Sequence, residues 1–267
     1  MRALDSVREW PVDHAAVVVL DRTGEIARTG PDEPMPWASV TKIATALGVL
    51  IAVSRGDVSL DEPAGPPGAT VRHLLAHASG VGPEDDTVLA QPGKRRIYSN
   101  RGFELLGELV TERVGKPFPE YLDTEVFGPL GMDRTRLDGS PARAVTGPIT
   151  DLAALGAELL TPTLATDLRS EATRVAFPGL AGVLPGFGRQ APNDWGLGFE
   201  IRDGKSPHWT GSRNSPETFG HFGQTGSFLW VDPVAGLACA CLTGTPFGEW
   251  AATNWPRLSD LVLEERA

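Results

Sequence analysis

A chain of 267 residues, 41% hydrophobic and 22% charged, can bury one large core and lacks the charge-rich, apolar-poor composition of disordered chains. Its 34 acidic against 24 basic residues give a formal charge of −10. This speaks against nucleic-acid binding through phosphate neutralisation and against a polybasic membrane anchor, and leaves a small molecule as the expected partner.

The stretch AAVVVLDRTGEIARTG predicts two strands joined by a turn at Arg22, Thr23 and Gly24. Acidic residues on both sides of the apolar run 14–20 suit a strand better than a signal peptide, and no run approaches the ~20 apolar residues of a membrane helix. The expected location is therefore cytoplasmic. A loop, PDEPMP, leads to Ser39. From there to about Val53, the positions Val40, Ile43, Ala44, Leu47, Leu50 and Ile51 recur at helical spacing, and Gly56 is placed to stop the helix. TVRHLLAHASG predicts a helix capped by Thr70 and ended at Gly80.

YSNRGFELLGELVTERVG predicts a helix beginning near Asn100. PFPEYLDTEVFGPLGM adds another helix and a turn, and TDLAALGAELL a short helix capped by Thr150 or Asp151. The Gly- and Pro-rich stretch 169–193 predicts loops. WGLGFEI, FGHFGQTGSFLWVDP and GLACACLTG then read as strands, before a closing amphipathic helix. Strands at both ends with helices between them predict an α+β fold. One antiparallel sheet is built from both chain ends and flanked by helices, in a single domain whose helical subdomain spans roughly 57–190.

Cys239 and Cys241 stand two apart in a strand, on one face, poorly placed to bridge, and read as small buried residues. No Cys/His cluster exists, so neither a zinc site nor another cofactor is expected. His73 and His77, four apart, lack a third ligand. They read as structural, one facing the core and one near a helix C-terminus. Trp195, Trp209 and Trp230 are candidates to line a cleft.

Three short motifs can carry chemistry. Ser39 precedes Lys42 by three residues, which puts both side chains on one helical face near its N-terminus. A serine needs a proton acceptor to become a nucleophile, and a lysine with a lowered pKa can be one. With 13 Ser and 4 Lys in the chain, about 0.2 such pairs arise by chance, so a capping serine with a solvated lysine is an equal reading of this motif alone. Tyr98 and Asn100 form a rarer Tyr-x-Asn, in which a phenol near an ammonium can move protons and an amide can hold a carbonyl. Asn100 also reads as the cap of the following helix. His221, Gly223 and Gln224 lie in HFGQTG, where a glycine on an edge strand admits a substrate to the backbone and the next N–H can donate to an oxyanion.

In this order, Ser-x-x-Lys, Tyr-x-Asn and His-x-Gly resemble the serine β-lactamase and penicillin-binding-protein superfamily. The nearest branch is that of the class C β-lactamases, with its esterases and D-amino-acid peptidases. ASVTK, TVRHLLAHASG, YSNRGFELLGELV, FGPLGM and FGHFGQTGSFLWVDP carry the likeness from Ala15 to about Thr243. The resemblance implies Ser39 as acylated nucleophile, Lys42 as its proton partner and Tyr98 as general base and acid. It implies Asn100 as a substrate contact, His221 and Gly223 along the substrate, and the N–H groups of Ser39 and Gln224 as the oxyanion hole. The residue that deprotonates Ser39 stays open.

This chain departs from the family at two places. His221 replaces the usual lysine and Phe222 the usual threonine of the third motif, a pair that helps to bind a substrate carboxylate, and the middle region is reduced. No Gly-x-Ser-x-Gly, Ser-Asp-Asn or Lys-Thr-Gly occurs. The expected function is hydrolysis of a small ester or amide through an acyl-enzyme. A β-lactamase or D-alanyl-D-alanine carboxypeptidase and a catalytically silent binding protein are the alternatives.

Overall fold

The valines and leucine of AAVVVLD point to both sides of their strand, and both sides are buried, as a central strand requires. In the computed structural model, which describes residues 1–266, this is β1 (Ala15–Asp21). It turns into β2 (Gly24–Thr29) and, after the two-residue β3 (Met35–Pro36), the chain enters α1 (Thr41–Arg55). Then follow α2 (Val71–Leu75), α3 (Asn100–Val114), α4 (Phe118–Leu122), β4 (Arg136–Leu137), β5 (Val145–Gly147), α5 (Ile149–Leu160) and α6 (Arg169–Ala172). The hairpin β6 (Gly182–Leu184) and β7 (Gly188–Gln190) leads to β8 (Glu200–Ile201), β9 (Phe219–Gly223), β10 (Ser227–Asp232), β11 (Leu237–Thr243) and α7 (Glu249–Arg266).

Six strands form one sheet in the order β2-β1-β11-β10-β9-β8, every pair antiparallel. The first strands of the chain thus pair with the last, as the α+β reading expects. The two-residue period of a strand divides the core into two layers. Val18, Leu20, Leu229 and Ala240 face α1 and α5, whereas Val19, Trp230, Cys239 and Cys241 face α7 and the N-terminal turn Arg2–Glu9. Both cysteines are free and buried.

Helix α1 ends at Gly56, whose φ of 81° supplies the left-handed C-cap. The helical run Ala38–Arg55 has the length and the mean hydropathy, 1.4, of a membrane span, contrary to the sequence expectation, and 72% of it is buried within the fold. Its apolarity is used by the core. Three other expectations need correction. Helix α2 stops at Leu75 rather than near Gly80, because His77 takes a left-handed φ of 53° and the Arg96 guanidinium donates to Ala76 O at 2.5 Å. Helix α5 starts after Pro148. Asp151 instead accepts from the Arg134 N–H and the Thr135 hydroxyl, and Thr150 bonds Asp32. The stretch 169–193 holds α6 and the β6–β7 hairpin, whose glycines had the look of a loop although Leu184 and Phe187 are buried.

Candidate active site

Ser39 sits in a single 3-10 turn, Ala38–Val40, that runs straight into α1. The residue before it, Ala38, holds a φ of 45°, a conformation costly for a residue with a Cβ. The surroundings impose it. Trp37 is fully buried and donates from Nε1 to Gly147 O at 3.1 Å. The Ser227 hydroxyl donates to Trp37 O at 2.7 Å, and that of Thr225 to Pro36 O at 2.9 Å. Gly223 makes this docking feasible, because a Cβ there would lie 2.6 Å from Trp37 O and collide with Ser227 Oγ. The end of β9 and the segment before Ser39 are thereby fixed together.

Lys42, the second residue of α1 and three after Ser39, is completely buried. Its Nζ lies 2.6 Å from Asn100 Oδ1, 2.8 Å from Ala142 O and 3.4 Å from Ser39 Oγ. No carboxylate touches it. Burial, and after it the nearby Arg143 guanidinium, holds the Lys42 pKa well below that of a free lysine. Tyr98 lies against this amine, with Nζ 4.8 Å from its ring centre. Burial raises the phenol pKa, with the Ser39 hydroxyl opposing the rise. A basic amine and a protonated phenol therefore share the serine.

Helix α3 places Asn100 without spending it. The cap is Ser99, whose Oγ accepts from the Gly102 N–H at 2.9 Å and donates to Gly82 O at 2.6 Å. Asn100 is thus free to turn its carbonyl to Lys42, while its amide donates to Glu84 Oε1 at 2.6 Å. The sequence offered capping or catalysis for Asn100, and its neighbour takes the first.

On the opposite wall, His221 lies on β9. Its Nδ1 donates to Phe222 O at 2.7 Å, which leaves Nε2 as an acceptor with no partner among the described residues. Burial, with Lys42 second, lowers its pKa to about 3, so the ring is neutral near pH 7. Phe222 is buried against Phe187, Phe247 and Trp255 on the α7 side and also lines the cleft, without closing it. The cleft holds about 480 Å³ and is lined by Ser39, Tyr98, Asn100, His221 and Gln224, together with Trp195 and the hairpin residues Leu184 and Pro185. All seven candidate residues meet here, with Lys42 behind Ser39 and Gly223 under it. Of the three tryptophans only Trp195 lines the cleft. Trp209 and Trp230 are core residues donating to Glu200 and Ser259. His73 stacks on Phe177, and no metal-ligand cluster occurs among the described residues.

One contributor, Glu200, escaped the sequence reading, and a second, His77, was read there only as a structural histidine. His77, fully buried, accepts the Ser99 N–H at Nδ1 (3.1 Å) and packs 4.7 Å from the Tyr98 ring, supporting the turn that carries Tyr98 and Asn100. Glu200 on β8 lines the cleft floor. It is buried with Lys205 at 2.5 Å, His208 at 2.9 Å and the Trp209 indole at 3.0 Å. Glu200 lies in no motif. Only a lone polar residue inside an apolar strand, the glutamate of WGLGFEI, gave a signal.

A family model described as Beta-lactamase matches residues 3–264. Among solved structures, a beta-lactamase from Mycobacterium bovis is 52% identical, with a TM-score of 0.97 over 99% of each chain. Among curated relatives, penicillin-binding protein 4* of Bacillus subtilis (strain 168) is 27% identical over 133 residues, 38% of this chain and 30% of that protein. A protein of Salmonella schwarzengrund (strain CVM19633), provisionally named a D-alanyl-D-alanine carboxypeptidase, is 26% identical over 201 residues, 58% of this chain and 46% of that protein. The chain therefore matches less than half the length of these curated relatives.

Proposed function

The chain belongs to the Beta-lactamase family of serine hydrolases, and on that premise we propose that it hydrolyses a small ester or amide through an acyl-enzyme on Ser39. The observation that carries this is the buried Lys42 amine, 3.4 Å from Ser39 Oγ, with a depressed pKa and no carboxylate partner.

The neutral amine of Lys42 takes the Ser39 proton as Oγ attacks the substrate carbonyl carbon. Negative charge then develops on the carbonyl oxygen, where the N–H groups of Ser39, at the positive end of α1, and Gln224, at the end of β9, stabilise it. On collapse the bond to the leaving group breaks. The Tyr98 phenol gives that group its proton and is reprotonated by the Lys42 ammonium. Water then attacks the Ser39 ester, and the same groups return the proton to Oγ. The raised Tyr98 pKa suits a proton donor, and the lowered Lys42 pKa a base.

The neutral His221 and the buried Phe222 support a substrate with no carboxylate beside the scissile bond, and on that ground we read ester hydrolysis ahead of lactam hydrolysis. A β-lactamase or D-alanyl-D-alanine carboxypeptidase activity is the second reading, supported by the names of the relatives. A silent binding protein is the weakest, since Phe222 does not fill the cleft and Tyr98 does not turn away from Ser39.

The test is intact mass after exposure to a fluorophosphonate, for wild type and Ser39→Ala. One adduct on wild type and none on the variant is expected, with the variant's unfolding temperature nearly unchanged. An unlabelled wild type or a labelled variant overturns the mechanism.

A further inference from the structure

We propose that a groove beside the cleft, floored by the segment 95–97 and the β6–β7 hairpin, receives the leaving half of the substrate and selects an apolar chain ending in an anionic group. The inference rests on the acyl-enzyme reading above and adds a substrate class to it.

Alternation of side chains builds the groove. Arg96 pairs in parallel with Gly182, its N–H donating to Ala181 O at 2.9 Å, and Val183 pairs with Arg189 across the hairpin. Arg96 turns inward and spends its guanidinium on the carbonyls of Ala76, Ala176, Phe177 and Asn193. Gly182 is pressed against it, and a Cβ there would lie 2.5 Å from Arg96 O. With Arg96 and Gly182 inward, the flanking residues Arg95, Ile97, Ala181, Val183 and Arg189 face outward into a groove of about 1220 Å³. The groove shares Tyr98 and Pro185 with the cleft around Ser39, so the two are continuous.

Two properties define the occupant. Leu89 and Val183, 45% and 59% exposed, are two of the four large apolar side chains left exposed on the described surface, and both line this groove. Arg95 and Arg189 flank them, exposed, and among the described residues neither is in an ion pair. The acids of the adjoining loop are engaged elsewhere. Glu84 holds Asn100 and Arg143, Asp86 holds Arg101, and Asp85 accepts the Thr87 N–H. Two unopposed guanidinium groups in a chain of charge −10 call for an anion. Tyr98 fixes which half of the substrate enters, because the group it protonates is the leaving one. The anion is therefore read at the far end of the alcohol or amine, not at the acyl end, where His221 is neutral.

The test follows fluorophosphonate labelling of Ser39 in the presence of 6-acetamidohexanoate, its methyl ester, or 6-acetamidohexyl phosphate. Both anions should protect Ser39 at concentrations roughly tenfold below the methyl ester, an advantage that shrinks with added salt. The tighter of the two identifies carboxylate or phosphate as the preferred group. The double variant R95E/R189E should reverse the preference, with its unfolding temperature showing that it folds. Equal protection by acid and ester, protection by none, or an unchanged preference in a folded double variant overturns the groove assignment and leaves the acyl-enzyme reading standing. Failure of wild type to label at Ser39 overturns that reading, and the groove assignment falls with it.

Discussion

A lysine sealed from water loses hydration that only a counter-charge or a neutral state can offset, and Lys42 is given neutral acceptors, Asn100 Oδ1 and Ala142 O. The consequence is measurable in stability as well as in rate. The unfolded chain holds a proton on Lys42 up to its ordinary pKa of 10.5, whereas the folded chain releases it at lower pH. Wild type should therefore gain stability relative to Lys42→Met as pH rises toward 10.5, and that variant should lose acylation at every pH. Thermal melts across that range check it, and a difference that stays flat or runs the other way contradicts the depressed pKa. His221 gives the complementary case. With its pKa near 3 it stays neutral through the physiological range, so its ring resonances should not titrate between about pH 5 and 8. Its contribution to stability is complete above 6.5 and is lost as pH falls toward 3.

At the scale of elements, the site is the meeting of one helix start, one helix cap and one strand end. The start of α1 carries Ser39, the Ser99 cap of α3 fixes Tyr98 and Asn100, and the end of β9 brings Gly223 and Gln224 against residues 37 and 38. Ser99→Ala removes an acceptor for Gly102 N and a donor to Gly82 O, both buried. Denaturant unfolding should show a loss of about 1–2 kcal/mol, accompanied by a fall in acylation rate as Asn100 loosens from Lys42. A fall in stability with an unchanged rate would mean that the cap does not position the site.

For the whole molecule, the edge of the sheet beside the cleft is anchored by a buried ion cluster instead of further hydrophobic packing. Glu200 accepts from Lys205, His208 and the Trp209 indole, and Lys205 also donates to Asp194 O. Burial alone would raise the Glu200 pKa, and His208 and Lys205 beside it hold it below the usual carboxylate range instead. The stability it contributes is present above 4.5 and lost only as pH falls well below that value. Glu200→Ala would leave Lys205 buried without a counter-charge and should cost roughly 3–5 kcal/mol in denaturant unfolding. A milder loss would show that the backbone carbonyls around Lys205 suffice.

The sequence by itself determined the elements whose signals are local. The strands at both chain ends, the helix stopped by Gly56 and the three motifs were legible because alternation, helical period and residue type act within a few positions. It also named, from spacing and likeness, the residues Ser39, Lys42, Tyr98, Asn100, His221, Gly223 and Gln224 that the fold brings together. Only the tertiary structure decided what state those residues are in. The depressed pKa of Lys42 and the neutral ring of His221 depend on burial, and the turn of Asn100 toward Lys42, 58 residues away, depends on the packing of α3 against α1. The same holds for the hairpin 182–190, held at Gly182 by Arg96, and for His77, held by the Ser99 N–H, while the partners of Glu200 lie within ten residues of it but are gathered by a loop with no local period. Desolvation is a property of the assembled core, and no window of sequence contains it.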